Sequence, residues 1–149
     1  MSDYTIERLT SSDASTAEAI RLLIEQLTGR ESTFDEDDLR NTLQDSASRL
    51  FVMHHNDNIV GMITLGIYFC PTGRKVWIED VVIDNKLRGK GLGEELVEYA
   101  INYVKKNLAP CSLMLTSRPS RVAANALYRK IGFEPRQTNV YKIEVDKNK

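Results

Sequence analysis

Val81-Val82-Ile83-Asp84-Asn85-Lys86-Leu87-Arg88-Gly89-Lys90-Gly91-Leu92-Gly93 decides the reading of this chain. The β-branched run predicts a strand, the glycine-rich stretch a turn, and the pattern opening at Leu92 an amphipathic helix. Glycine lets a backbone approach a ligand closely and reach positive φ at little steric cost. The first turn of a helix leaves N–H groups without intrahelical partners, and the helix dipole favours an anion there. Arg88 and Lys90 add formal positive charge. Strand, basic turn and helix together describe a cradle for a pyrophosphate.

Two better-known phosphate loops do not fit. A kinase-type loop needs Gly, four residues, then Gly-Lys-Ser/Thr. Here Asp84 stands five positions before Gly89, and Gly91 follows Lys90. A dinucleotide-binding turn needs G-x-G-x-x-G early in a βαβ unit. Gly89-Lys90-Gly91-Leu92-Gly93 lacks that spacing and lies past the middle of the chain. A glycine turn serving only tight reversal of the chain is the structural alternative.

Working outward, residues 75–83 read as the strand feeding this turn, and residues 50–54 and 59–69 as strands joined by Asn56-Asp57-Asn58. Pro71-Thr72-Gly73 breaks the chain between the last two of these strands. Residues 5–9 read as a first strand. Ser15 with Glu18 suggests a capping box before Ala17, Ile20, Leu23, Ile24 and Leu27, and Thr33 with Glu36 repeats that signal before Leu39 and Leu43. After the glycine turn, Leu92, Leu96, Val97, Ala100, Ile101 and Val104 share one helical face, and Pro110 marks the exit. A buried strand at 112–116, a helix at 121–131 closed by Gly132, and a last strand at 139–145 complete the chain. The order predicts a mixed α/β layer structure around one sheet.

Bulk properties narrow the function. The 149 residues suit one domain with a continuous core, so a single domain spanning 1–149 is expected. Twenty basic against 21 acidic residues leave no field favouring nucleic acid or an anionic membrane surface. No apolar run approaches the ~20 residues needed to span a bilayer, and Met1-Ser2-Asp3-Tyr4-Thr5 does not begin like a secretory signal. A cytoplasmic location is expected. Cys70 and Cys111 are isolated and lack the spacing of a metal site, and His54 and His55 read as solvated residues before a turn, so no metal is expected.

Glu79 and Asp80 interrupt the apolar strand ahead of the turn. Adjacent strand residues project to opposite faces. A carboxylate in such a run is partly desolvated, which raises its pKa and its strength as a base. A structural ion pair is the alternative for both.

Arg88, Gly91 and Gly93 resemble the acetyl-CoA signature Arg/Gln-x-x-Gly-x-Gly/Ala of the GNAT superfamily of N-acetyltransferases. Asn125-Ala126-Leu127-Tyr128-Arg129-Lys130-Ile131-Gly132-Phe133 resembles that family's second signature, and one helix and one strand separate the two. The resemblance implies the GNAT acyltransferase fold, a splayed central sheet flanked by about four helices. It implies acetyl-CoA as co-substrate, with its pantetheine arm along Val81, Val82 and Ile83. Its pyrophosphate would lie on Arg88, Gly89, Lys90, Gly91, Leu92 and Gly93. Asn125 would bond the pantetheine arm. Tyr128 would protonate the departing thiolate, since a phenol's reference pKa of ~10 exceeds a thiol's. Glu79 is the favoured base, and Asp80 orients the acceptor or pairs with an arginine.

The implied reaction is direct attack by an amine on the acetyl carbonyl, with backbone N–H groups near residues 81–83 stabilising the oxyanion. No histidine neighbours Cys70 or Cys111 in the sequence, which argues against an acyl-cysteine route. Arg118 and Arg121, in Thr116-Ser117-Arg118-Pro119-Ser120-Arg121, are candidates for the CoA 3′-phosphate or an acidic acceptor group, and equally for a plain connection. Gln137-Thr138-Asn139 is a candidate border of the acceptor pocket. The acceptor is expected to be the primary amine of a small molecule: an amino sugar, aminoglycoside, polyamine or amino acid. A protein lysine or N-terminus, or a non-catalytic acyl-CoA-binding role, are the competing readings. Dimerisation is common among such proteins, but this sequence carries no separate interface signature.

Overall fold

The computed structural model describes residues 3–147. The chain divides after Thr116 into two compact units. The first contains β1 (Tyr4–Arg8), α1 (Ala14–Thr28), α2 (Glu36–Gln44), β2 (Ser48–His55), β3 (Asn58–Cys70), β4 (Gly73–Ile83), a 3₁₀ turn (Asn85–Leu87), α3 (Leu92–Asn107) and β5 (Ser112–Met114). Its five strands form one sheet in the order β1-β2-β3-β4-β5. The first four run antiparallel to their neighbours, and β5 joins β4 in parallel. The second unit contains α4 (Val122–Ile131).

The helix starts differ in detail from the sequence expectation. Asp13, not Ser15, caps α1 by accepting from the Thr16 amide at 2.7 Å, and Glu18 bonds Arg21 instead. The capping box of α2 is Asp35 with Asp38, not Thr33 with Glu36. In each case an ionised carboxylate two residues from the hydroxyl takes the charge-assisted bond to the backbone. Gly29 closes α1 in the left-handed conformation.

Alternation along the strands divides the core between the two sheet faces. Leu50, Val52, Met62 and Val82 pack with Ala17, Ile20, Leu23 and Leu39 beneath α1 and α2. On the other face Phe51 meets Tyr99 and Tyr103 of α3 edge-on, with ring centroids 5.6 and 4.9 Å apart. Leu92, Leu96, Val97, Ala100 and Val104 of α3 are buried as the periodicity predicts, and Ile101 is half-buried. Each buried leucine or valine among them contributes roughly 1.5–3 kcal/mol by leaving water. His54 and His55 lie within β2, where His54 bonds Glu7 and His55 stacks on Tyr4.

The strand expected at 139–145 is not formed. Those residues are exposed coil, with Val140 at 75% and Tyr141 at 88% exposure. An alternating pattern chooses a face but cannot supply the neighbouring ladder a strand needs. Among the described residues no helix is long and apolar enough to cross a membrane.

Candidate active site

The parallel pairing of β4 with β5 covers only Lys75–Ser112, Val76–Leu113 and Trp77–Met114. Residues 78–83 of β4 run on beyond the end of β5, so on that side their backbone groups have no ladder partner in β5. Their other edge stays paired to β3, with Glu79 opposite Thr64, Val82 opposite Met62 and Ile83 opposite Gly61. The sheet therefore opens into a fork at the segment where Glu79, Asp80, Val81, Val82 and Ile83 lie.

Two residues, Asp80 and Val81, stand opposite the single Ile63, which is a β-bulge. Asp80 takes the extra step with φ of 52°, in the left-handed region that non-glycine residues adopt at a cost of about 1–3 kcal/mol. The bulge removes the regular alternation on which the expectation that Glu79 and Asp80 project to opposite faces rests. Counted forward from Glu79, Asp80 would face α3; counted back from Val82, it shares the α1 side. The alternation rule has no single answer where a residue is inserted.

Both carboxyl groups keep contact with solvent, but partial burial raises their proton affinity. For Glu79 burial is the larger cause, and repulsion from Asp80 adds to it; for Asp80 burial alone acts. Because water still reaches both, the effect is a bias and not a fixed neutral state. A glutamate so biased holds an abstracted proton better than an ordinary surface glutamate.

The glycine turn continues directly from the fork. Gly89 and Gly91 have φ of 83° and 78°, and Gly91 is the N-cap of α3, with no side-chain cap on the helix end. A Cβ built at Gly89, Gly91 or Gly93 would meet nothing within 4 Å, so space lies open around the turn. Leu92 is buried in the core and anchors the helix start. Arg88 folds back to bond the Ile83 carbonyl, and Lys90 is exposed. Uncapped amides, open space and two cations fit a pyrophosphate at this position. Glu94 and Glu95 in the first turn also suit the dipole.

Sequence reasoning missed one residue of this arrangement. Gln26 of α1 accepts the Asn85 amide through Oε1 at 2.8 Å, which ties α1 to the start of the turn. A single glutamine on the rim of an amphipathic helix carries no periodic signal that would reveal it.

In the second unit Tyr128 is buried on α4 and meets Phe133 edge-on at 6.1 Å. The Gly132 and Phe133 amides both bond the Tyr128 carbonyl, at 3.2 and 2.9 Å, closing the helix. The Asn125 side-chain amide donates to the Arg118 carbonyl at 2.9 Å. Asn125 thus pins the connection before α4, and its remaining oxygen is what it has to offer a ligand. Arg118 and Arg121 are exposed, and Gln137, Thr138 and Asn139 lie in coil. Among the described residues no group of three or more His, Cys, Asp and Glu is placed to hold a metal.

The description "Acetyltransferase (GNAT) family" belongs to a family model that matches residues 16–133. Among curated proteins no sequence match is found. The fold is similar to that of an aminoglycoside acetyltransferase, meta-AAC0020, from an uncultured soil metagenomic sample. Its structure with trehalose gives TM-score 0.83 at 19% identity, covering 97% of each chain. Its structure with sisomicin gives 0.82 at 18%, with the same coverage. Aminoglycoside N-acetyltransferase AAC(6')-Iy in complex with CoA is similar at TM-score 0.75 and 15% identity, over 95% of this chain and 94% of that one. A ribosomal-protein-alanine N-acetyltransferase from Brucella melitensis biovar Abortus 2308 reaches 0.74 at 19%, over 96% and 99%. At such identities the likeness is one of fold. The family match covers most of the chain and includes the forked strand, the glycine turn and α4. The chain belongs to the acetyltransferase (GNAT) family and is an acetyl-CoA-dependent N-acetyltransferase.

Proposed function

We propose that this enzyme moves the acetyl group of acetyl-CoA to the primary amine of a small molecule by direct attack. The observation that carries the reading is the fork between β4 and β5, which leaves one edge of residues 78–83 unpaired beside Glu79 and ahead of the Gly91 helix start. Free strand amides suit an amide-bearing pantetheine arm, and the uncapped helix end suits its pyrophosphate.

In this reading the amine nitrogen bonds the acetyl carbon while the carbon–sulfur bond breaks. Glu79 receives the amine proton, directly or through water, and Tyr128 gives its phenolic proton to the departing thiolate. Backbone N–H groups among Val81, Val82 and Ile83 polarise the acetyl oxygen, and no residue is acylated. Asp80 keeps Glu79 basic and attracts the cationic acceptor to the fork. A small-molecule acceptor is supported by the likeness to a fold that holds sisomicin in another protein.

The test is CoA-thiol release across amino sugars, aminoglycosides, polyamines, amino acids and peptides, with the native chain and Tyr128→Phe. Turnover on a small amine is expected, falling about 10²-fold in the variant while acetyl-CoA binding is kept. Turnover on peptides alone would replace the small-molecule acceptor with a protein one. Equal turnover by the variant removes Tyr128 from the mechanism.

A further inference from the structure

Lys75, Trp77 and Glu79 alternate along β4 and lie opposite Tyr68, Gly66 and Thr64 of β3. Thr64 shares its face with Met62, so these six residues belong to the α1 side of the sheet. The apolar cluster under α1 and α2 takes in Leu50, Val52, Met62 and Val82 on this face, and Trp77 and Tyr68 lie outside it. Tyr68 is 49% exposed and Trp77 partly so.

The two rings are fixed to each other, since the Trp77 indole N–H donates to the Tyr68 hydroxyl at 3.2 Å. With its only polar atom engaged, the indole has carbon surface to offer. Gly66 stands directly across from Trp77, and a Cβ there would meet nothing within 4 Å. This leaves open space over the Gly66 backbone on the face that carries the indole. Thr64 adds a hydroxyl on the same face, while that of Ser48, opposite Gly66 on β2, donates to Asp45 at 3.2 Å.

These groups select a chemistry. Aromatic faces stack on the C–H surface of a saturated ring and attract a cation over their π-systems. The Thr64 hydroxyl matches a hydroxylated ligand, and Glu79 attracts its ammonium. Lys75, two positions beyond Trp77 in the opposite direction, repels positive charge and so fixes the ligand's orientation. A linear polyamine gains little from the open space, and its distal charge is set against Lys75.

We propose that Trp77 and Tyr68 form the acceptor platform, and that the acceptor is a hydroxylated ring amine, an amino sugar or a compound built from amino sugars, seated with its ammonium at Glu79. This inference rests on the acetyl-transfer reading above, but its first readout, tryptophan emission, does not. Trp77 is the only tryptophan in the chain, so its emission reports occupancy of the platform without turnover.

The experiment titrates the intact protein with glucosamine, sisomicin, spermidine and lysine amide while following tryptophan emission, then measures CoA-thiol release with the same amines. A saturable emission change with the two ring amines, and little with the linear ones, is expected. Trp77→Ala should raise the KM for ring amines about tenfold and that for linear amines less than twofold. Tyr68→Phe, which removes the hydroxyl that holds the indole, should raise the ring-amine KM about two- to threefold. No emission response to ring amines overturns the platform, whatever the turnover. Equal KM increases for ring and linear amines in Trp77→Ala assign the indole a merely structural role and also overturn it. An emission response without thiol release upholds the platform and refutes acetyl transfer to these amines.

Discussion

The backbone carbonyl of Ile83 accepts a hydrogen bond from Nε of Arg88 across 3.3 Å. The last residue of β4 and the first cation of the glycine turn are thereby one unit. A guanidinium with Nε engaged still has its two terminal nitrogens to offer an anion. Arg88→Ala should raise the KM for acetyl-CoA about tenfold, with a smaller change in kcat. Arg88→Lys should fall between, because an ammonium supplies charge without the fork that bonds Ile83 and a phosphate at once. Initial-rate kinetics at saturating amine measure both.

In the proposed mechanism Glu79 governs the acidic side of the pH profile. Partial burial, helped by Asp80, places its proton affinity above that of an ordinary glutamate. The base is lost as pH falls through that raised value, so kcat should decline on an acidic limb above the usual glutamate range. Glu79→Gln should lower kcat about 10²-fold at neutral pH and flatten the limb. A limb of unchanged position in the variant would assign it to another group.

Asp80→Asn tests the coupling between the two carboxyls. Removing the neighbouring charge should move the Glu79 titration to lower pH, read by NMR of the side-chain carboxyl. The sign of the stability change follows from the raised proton affinity of Asp80 itself. Ionised, it is less comfortable folded than unfolded, so the amide should stabilise at neutral pH. Solvent contact limits the gain to about 0.5 kcal/mol. The gain should vanish as pH falls below the ordinary aspartate range, where the native residue is neutral in both states. Asn also tolerates the left-handed backbone, whereas Asp80→Val should cost about 1–3 kcal/mol.

Gly61 sets the spacing of β3 and β4 at the mouth of the turn. A Cβ there would stand 2.7 Å from Ile83 Cδ1 and 3.2 Å from the Val82 carbonyl. Gly61→Ala should destabilise the fold by about 1–3 kcal/mol in denaturant melts. Adding Ile83→Val removes the Cδ1 clash and should recover part of the loss. The contact with the Val82 carbonyl remains.

Much of this was legible in the sequence, and the reasons it stopped are local. Helical faces and strands announced themselves through apolar periodicity, and the glycines after Arg88 marked the turn that opens α3. The bulge at Asp80 escaped because a period-two rule assumes no inserted residue. The caps at Asp13 and Asp35 escaped because several polar residues in a row satisfy the same pattern. The bond from the Asn125 side-chain amide to the Arg118 carbonyl escaped because helix spacing does not show what a polar side chain holds in the preceding loop. Residues 139–145 looked like a strand because composition records a preference for extension and not the presence of a neighbour to pair with.

The three-residue union of β4 and β5 has a consequence for how fast this strand trades its hydrogens with water. Alternate amides of a strand point to opposite neighbours. Along residues 78–83, outside the bulge at Asp80 and Val81, amides aimed at β3 sit in a ladder, while the others have no acceptor in β5. One short segment should therefore show two interleaved populations in amide exchange, one slow and one fast. Acetyl-CoA lying along the open edge would slow the fast set alone, so the strand carries its own residue-by-residue record of occupancy.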